Sequence, residues 1–259
     1  MAIPLSELTR ENSYFRRYSK LIFMKKLIFS LGILIVIALP GINAHAQLMY
    51  CGVRAGANLA NESANSLPSG ASNNFTLGFL AGLQFDYLLD DSWGLSIQML
   101  YDEKGALTQY SSYYATGTVR TGLNYIEMPL LIKKSFGDGD RRLYLFAGPS
   151  LGYFLSGAQN TNLRIQSTGY YDYSVPVAQP LPDSAVNSFD ISAVVGAGVS
   201  SKWSSGQIFF LEASFAFGLI SSAHEGIYGA ATDYYQPQQI MTTKSRDIRI
   251  AAGILFPLD

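Results

Sequence analysis

Six charged residues, Arg54, Asp86, Glu127, Lys133, Glu212 and Arg249, each fall on the polar side of a stretch whose other side is apolar. Both signs are present, so two chemistries are open. A carboxylate pair could do acid–base work, and a file of charges could pass protons or ions. Arg54 and Asp86 are expected on adjacent strands near one end, and Glu212 and Arg249 on adjacent strands nearer the middle. The reading adopted is a salt-bridged plug, because charges in an interior without bulk water must be matched. A narrow ion path is the alternative.

Other groups that could react are sparse. His224 stands beside Ser221, Ser222 and Glu225. Ser–His–acid catalysis brings its members together in space, and immediate sequence neighbours in a loop rarely form such a triad. The cluster therefore reads as solvated loop. The remaining histidine, His45, and the acids Glu62, Asp183 and Asp233 show neither zinc nor calcium spacing. Gly196-Ala197-Gly198 belongs to a strand, where it serves close packing, and cradles no phosphate. No catalytic residue, metal or cofactor is expected. Tyrosines mark the long connections: Tyr110, Tyr113 and Tyr114, then Tyr170, Tyr171 and Tyr173, then Tyr228, Tyr234 and Tyr235, among Ser, Thr, Asn, Gln and Gly. Rigid aromatic area with a hydroxyl, next to adaptable polar residues, is the mixture of recognition loops. Tyrosines capping a barrel rim in the headgroup region are the alternative.

The elements that must hold these residues follow from Phe75–Tyr87. Its odd positions, Phe75, Leu77, Phe79, Ala81, Leu83, Phe85 and Tyr87, carry no charge or amide, and its even positions are small or polar apart from Leu80. A period of two over thirteen residues is a strand with two different faces. It is long enough, when tilted, to cross an apolar band of about 25 Å. Eight such strands are predicted, over about 50–60, 75–88, 94–103, 123–136, 142–156, 189–202, 207–220 and 245–258. The fifth is apolar on both sides, so its faces stay unassigned. Pro129 predicts a bulge or break in the fourth. Connections alternate long (61–74, 104–122, 157–188, 221–244) and short (89–93, 137–141, 203–206). That sorting by end is the habit of outer-membrane barrels, with short periplasmic turns and long external loops. Trp93, Trp203, Tyr87 and Phe256 gather at the short-turn end as an interfacial girdle.

Composition agrees. Hydrophobic residues make up 48% of the chain and charged residues only 14%, below the ~25% of soluble domains. With no basic cluster, nucleic acid is not a partner. Residues 24–46 read as a secretory signal, with Lys25 and Lys26, an apolar run over Leu27–Leu39, and Ala44-His45-Ala46 for cleavage. Residues 1–23 read as a non-native extension, translation starting at Met24. Removing residues 1–46 takes away six Lys/Arg and two Asp/Glu, leaving 12 against 17 and a net charge near −5. Cys51 reads as a plain buried or lipid-facing thiol, since Tyr50 stands where a lipobox needs a small residue.

Four segments carry a family resemblance: Gly52-Val53-Arg54-Ala55-Gly56-Ala57-Asn58-Leu59; Gln98-Met99-Leu100-Tyr101 with Lys104-Gly105; Leu123-Asn124-Tyr125-Ile126-Glu127-Met128-Pro129-Leu130-Leu131-Ile132-Lys133; and Ala147-Gly148-Pro149-Ser150-Leu151-Gly152-Tyr153. Together they resemble the PorT-like small outer-membrane β-barrels of Bacteroidetes-type bacteria. Gly253-x-x-Phe256-x-Leu258 resembles the signal read by the barrel-assembly machinery, with Ala251 and Asp259 departing from it. The resemblance implies an outer-membrane barrel and, for PorT itself, a role in secretion. The expected protein is all-β: an eight-stranded antiparallel up-and-down transmembrane β-barrel over 47–259, monomeric, with both termini periplasmic. Its expected partners are outer-membrane lipid, the barrel-assembly machinery and an extracellular or envelope protein. The expected role is non-enzymatic, with Tyr113, Tyr114, Tyr170, Tyr171, Tyr173, Tyr234 and Tyr235 as recognition candidates. The alternatives are a narrow solute channel, a lipid-modifying enzyme and a soluble lipocalin-like carrier.

Overall fold

Alternation of the kind seen in Phe75–Tyr87 can bury only one face of a strand, so strands carrying it must close on one another or stack. Here they close. The computed structural model describes residues 49–64, 70–111, 115–137, 139–166, 172–181, 186–221 and 243–258. The expected signal and the extension before it lie outside the described residues, as does His224. The described strands are β1 (Met49–Ala64), β2 (Ala71–Asn74), β3 (Thr76–Leu88), β4 (Trp93–Ser111), β5 (Ala115–Phe136), β6 (Arg141–Gln166), β7 (Asp172–Pro180), β8 (Phe189–Lys202), β9 (Ile208–Gly218) and β10 (Thr243–Leu258). Eight of them form an antiparallel ring in the order β1, β3, β4, β5, β6, β8, β9, β10, and β10 returns to β1. β2 extends the line of β3 along β4, and β7 adds to the far part of β6.

The register fixes the barrel's shape. Stepping between paired residues from Met49 leads through Tyr87, Leu95, Ile132, Ala147, Val195, Phe215 and Ile248 to Leu59. One circuit therefore climbs ten residues along β1. For eight strands that stagger means a tilt of about 40° and a backbone radius of about 8 Å, an interior that side chains fill.

The sheet is turned inside out relative to a soluble core. Leu77 and Leu143 are each 62% exposed, whereas Asp102, Glu127 and Asp247 are 0% exposed. On β10 the outward series Ile248, Ile250, Ala252, Ile254, Phe256, Leu258 spans about 25 Å at that tilt, with Arg246 and Lys244 beyond it. Trp93, Phe136, Trp203 and Phe256 are exposed at the short-turn end. The Trp203 and Phe209 rings meet at 4.8 Å, inclined by 55°, and Lys134 lies 4.5 Å from the Trp93 ring. Cys51 is a free thiol on the outward face of β1, opposite Phe85 and Phe256.

Two local features differ from the sequence expectation, and a third, the break at Pro129, agrees with it. The bulge falls between Asn124 and Tyr125, where Leu155 of β6 is the extra residue. It flips the inward parity of β6, with Tyr144, Phe146 and Phe154 buried before it and Ser156 exposed after it. That flip and those inward aromatics are why the two faces of this strand looked alike. At Pro129 the ladder to β4 is interrupted without a shift of register, as Ile97↔Leu130 is followed by Leu100↔Glu127. Residues 104–122, expected as a loop, are instead mostly a hairpin continuing β4 and β5, and β6 with β7 does the same within 157–188. Those strands rise past the level where β8 and β9 end, so one flank of the wall is taller. Ala106, Thr108, Val119 and Thr121 stay buried on the inner face, while Gln109 and Arg120 are exposed on the outer one, so no apolar outer face is required.

Gly105 sits where the pairing of β4 with β3 lapses. Its φ is +146°, and a Cβ there would lie 1.9 Å from the Thr121 carbonyl oxygen, so no other residue fits. The turn between β3 and β4 is held by Asp90, whose carboxylate accepts hydrogen bonds from the Ser92 and Trp93 amides at 2.6 and 2.7 Å. Those two amides hold its carboxyl below the ordinary 3.8. A depressed carboxyl stabilises the turn above the unfolded value and ceases to as pH falls through the folded one. The Asp90 side-chain resonance in micelles is expected to titrate with a midpoint below 3.8, moving with the Ser92 and Trp93 amide protons. A midpoint at or above 3.8 would contradict the cap.

Candidate functional site

The bore is filled in layers. Nearest the short turns, Tyr50, Leu131, Tyr144, Phe146, Val194, Phe210, Ala216 and Leu255 form a buried apolar cluster. Threaded through it is a polar chain. Arg54 of β1 faces Glu212 of β9 at 3.4 Å and donates to Gln84 Oε1 at 3.0 Å. Gln84 Nε2 in turn donates to both Asp86 oxygens, and Lys133 Nζ reaches Asp86 Oδ2 at 2.8 Å. Arg54 lies 5.7 Å from the Phe210 ring, and Lys133 lies 5.1 Å from the Tyr144 ring. These aromatic faces favour the cations where water is excluded.

Above this chain lies a denser cluster. Lys104 of β4 is ion-paired with Glu127 of β5, with Asp190 of β8 at 2.7 Å and with Asp247 of β10 at 3.6 Å. Arg249 of β10 reaches across the bore to Asp102 at 2.7 Å and Glu127 at 2.9 Å, and meets Asp247 at 3.3 Å. Asn58 Nδ2 donates to Asp102 Oδ1 at 2.9 Å. Four carboxylates thus surround two cations, all nearly inaccessible to solvent. A third, apolar layer closes the bore beyond them. Leu123, Tyr125, Phe154 and Val186 form it, the Tyr125 and Phe154 rings meeting edge-on at 5.6 Å. Val186 belongs to the return from β7 to β8, which turns inward; Asn187 there donates to the Ser221 carbonyl at 2.6 Å.

All six sequence-derived charges, Arg54, Asp86, Glu127, Lys133, Glu212 and Arg249, are buried in the bore. Their grouping differs from sequence adjacency. Arg54 reaches Asp86 only through Gln84, and Glu212 and Arg249 belong to different layers. Asp102, Lys104, Asp190 and Asp247 are not among those six, yet Lys104 and Arg249 are the hubs. Lys104 fell one residue past the expected end of its strand. Extending the inward parity of Gln98, Leu100 and Asp102 by one more step would have found it. Among the tyrosines, Tyr113, Tyr114, Tyr170, Tyr171, Tyr234 and Tyr235 lie outside the described residues, and of Tyr173 only the backbone position in β7 is described. Among the described residues no His, Cys, Asp and Glu group is arranged to hold a metal ion.

An apolar belt outside and paired charges inside is the arrangement of a chain dissolved in a bilayer. Residues 45–224 match the family model described as outer membrane protein beta-barrel domain. The chain belongs to this family. Among solved structures, this outer-membrane barrel is similar to the outer membrane protease OmpT from Escherichia coli, at 9% identity and TM-score 0.50, over 85% of this chain and 99% of that one. It is also similar to Ail, the attachment invasion locus protein of Yersinia pestis (13%, TM-score 0.37, 80% and 98% covered), and to Neisserial surface protein A (16%, TM-score 0.37, 80% and 97% covered). No curated protein matches the barrel. At such identities the likeness concerns the fold, and function has to be argued from this chain's own residues.

Proposed function

We propose that this outer-membrane barrel is a closed, non-enzymatic scaffold that presents its long hairpins and tyrosine-bearing loops to a protein partner at the cell surface or in the envelope. The short turns and both termini face the periplasm, after signal cleavage near Ala46 and insertion by the barrel-assembly machinery. Within the PorT-like branch that its motifs resemble, the partner is a component of a secretion assembly. One observation carries the reading: the bore is crossed by two charge layers, with Leu123, Tyr125, Phe154 and Val186 filling it beyond them. A lumen so filled leaves the projecting strands β4, β5, β6 and β7 as the part that meets other molecules.

The test uses a photo-crosslinking side chain at two exposed sites in intact cells. At Gln109, on the tall hairpin, it is expected to capture one defined partner protein. At Ser204, in a short turn, it is expected to capture none of it. The purified barrel in planar bilayers is expected to show no discrete conductance steps. Steady steps abolished by Lys104→Met would establish the channel reading instead. Equal capture from both sites would overturn the orientation.

A further inference from the structure

The outer face of the wall is uneven where β6 leaves its turn. Val199 and Ser201 of β8 stand between Leu143 and Arg141 of β6 on one side and Leu211 and Phe209 of β9 on the other. Short side chains between longer ones leave a groove of about 440 Å³. Its walls are apolar and open, Leu143, Leu211 and Val199 being 62%, 52% and 48% exposed. At its short-turn end stands the exposed Arg141, opposite Ser201, at the level where the Trp203 and Phe209 rings meet.

Arg141 differs from two of the cations near it. Lys134 is engaged with the Trp93 ring, and Arg142 donates to the Asp91 carbonyl at 2.6 Å and to that of Gly139. Arg141 makes no hydrogen bond or ion pair among the described residues. A guanidinium with no partner among the described residues, beside an apolar groove at the boundary of an apolar belt, matches a phosphate joined to an acyl chain. The planar fork takes two phosphate oxygens, and the groove takes hydrocarbon.

We propose that this groove seats one glycerophospholipid, an acyl chain lying along Val199 and Leu211 and the phosphate on Arg141. The site rests on the outer-membrane placement; the proposed orientation decides only that the lipid comes from the inner leaflet. Retention is read on the isolated barrel, so its failure would leave the loop-recognition reading untouched.

The test delipidates the full chain folded in detergent. It then supplies equal amounts of phosphatidylglycerol and diacylglycerol with the same chains, and counts retained lipids by native mass spectrometry. One phosphatidylglycerol per barrel is expected, with diacylglycerol bound at least about tenfold less, the worth of a charge-assisted hydrogen bond. Arg141→Glu is expected to lower retention about tenfold, and Ser201→Phe, which fills the groove, to do the same. Arg246→Glu, an outward charge at the opposite end, is expected to leave retention unchanged. All three positions face outward, and heat-dependent gel mobility reports that each variant is folded. Equal retention of the two lipids, or wild-type retention by folded Arg141→Glu or Ser201→Phe, would overturn the proposal.

Discussion

Arg249→Ala is expected to destabilise the folded barrel by about 3–5 kcal/mol, the cost of removing one partner from a buried ion pair. Arg249 meets Asp102, Glu127 and Asp247 at 2.7, 2.9 and 3.3 Å, and its side chain is 4% exposed. Without it, four carboxylates are left with Lys104 alone in a space that admits little water. The cluster already holds more acids than bases, so an asymmetry follows. Loss of a cation should be severe, whereas Asp102→Asn alone should cost far less, because it removes one acid from the excess. The double variant Arg249→Ala/Asp102→Asn restores the wild-type excess and should recover at least half of the loss. Urea unfolding in lipid vesicles, followed by tryptophan fluorescence, measures all three. A double variant no more stable than Arg249→Ala would mean that the charges are not balanced against one another.

Gly196→Val is expected to cost about 3 kcal/mol, the upper end of overpacking, and to lower folding yield with it. A Cβ at Gly196 would lie 2.4 Å from Phe146 Cζ and 2.6 Å from the Ala213 carbonyl oxygen. Neither can retreat easily, since β8 is hydrogen-bonded on both sides and the Phe146 ring lies within the buried cluster. Phe146 and Gly196 are direct cross-strand partners, as are Tyr144 and Gly198, so each ring covers the backbone of a residue with no side chain. Ala197→Val, on the outward face between them, should be nearly neutral because it adds one methyl pair to a surface that meets lipid. Phe146→Ala combined with Gly196→Val should regain part of the loss by vacating the contested space. A folding yield for Gly196→Val equal to that of Ala197→Val would show that the rings do not rest on these glycines.

Most of the wall was legible residue by residue. Leu80, the one large apolar residue on the polar side of Phe75–Tyr87, is 1% exposed and points inward with that side. Pattern overrode hydrophobicity there because neighbouring residues of a strand cannot share a face. The reading broke down in two places with a common cause. In β6 the inward residues are aromatic and a bulge resets the count at Leu155, so no contrast marked the faces. In 104–122 the outer face carries exposed polar residues such as Gln109 and Arg120, and the inner face buries small ones such as Ala106 and Thr121, so the apolar-out alternation that had announced the strands stops.

The sequence by itself determined which side of seven of the eight strands faces lipid and which end carries the short turns, because both are written in neighbouring residues as period and spacing. Only the tertiary structure decided who meets whom inside. Lys104 reaches Asp190, and Arg249 reaches Asp102, across a bore whose stagger of ten residues is set by all eight registers at once. No local pattern encodes that sum of offsets, and a single slip of one residue would turn a strand's charges outward into lipid.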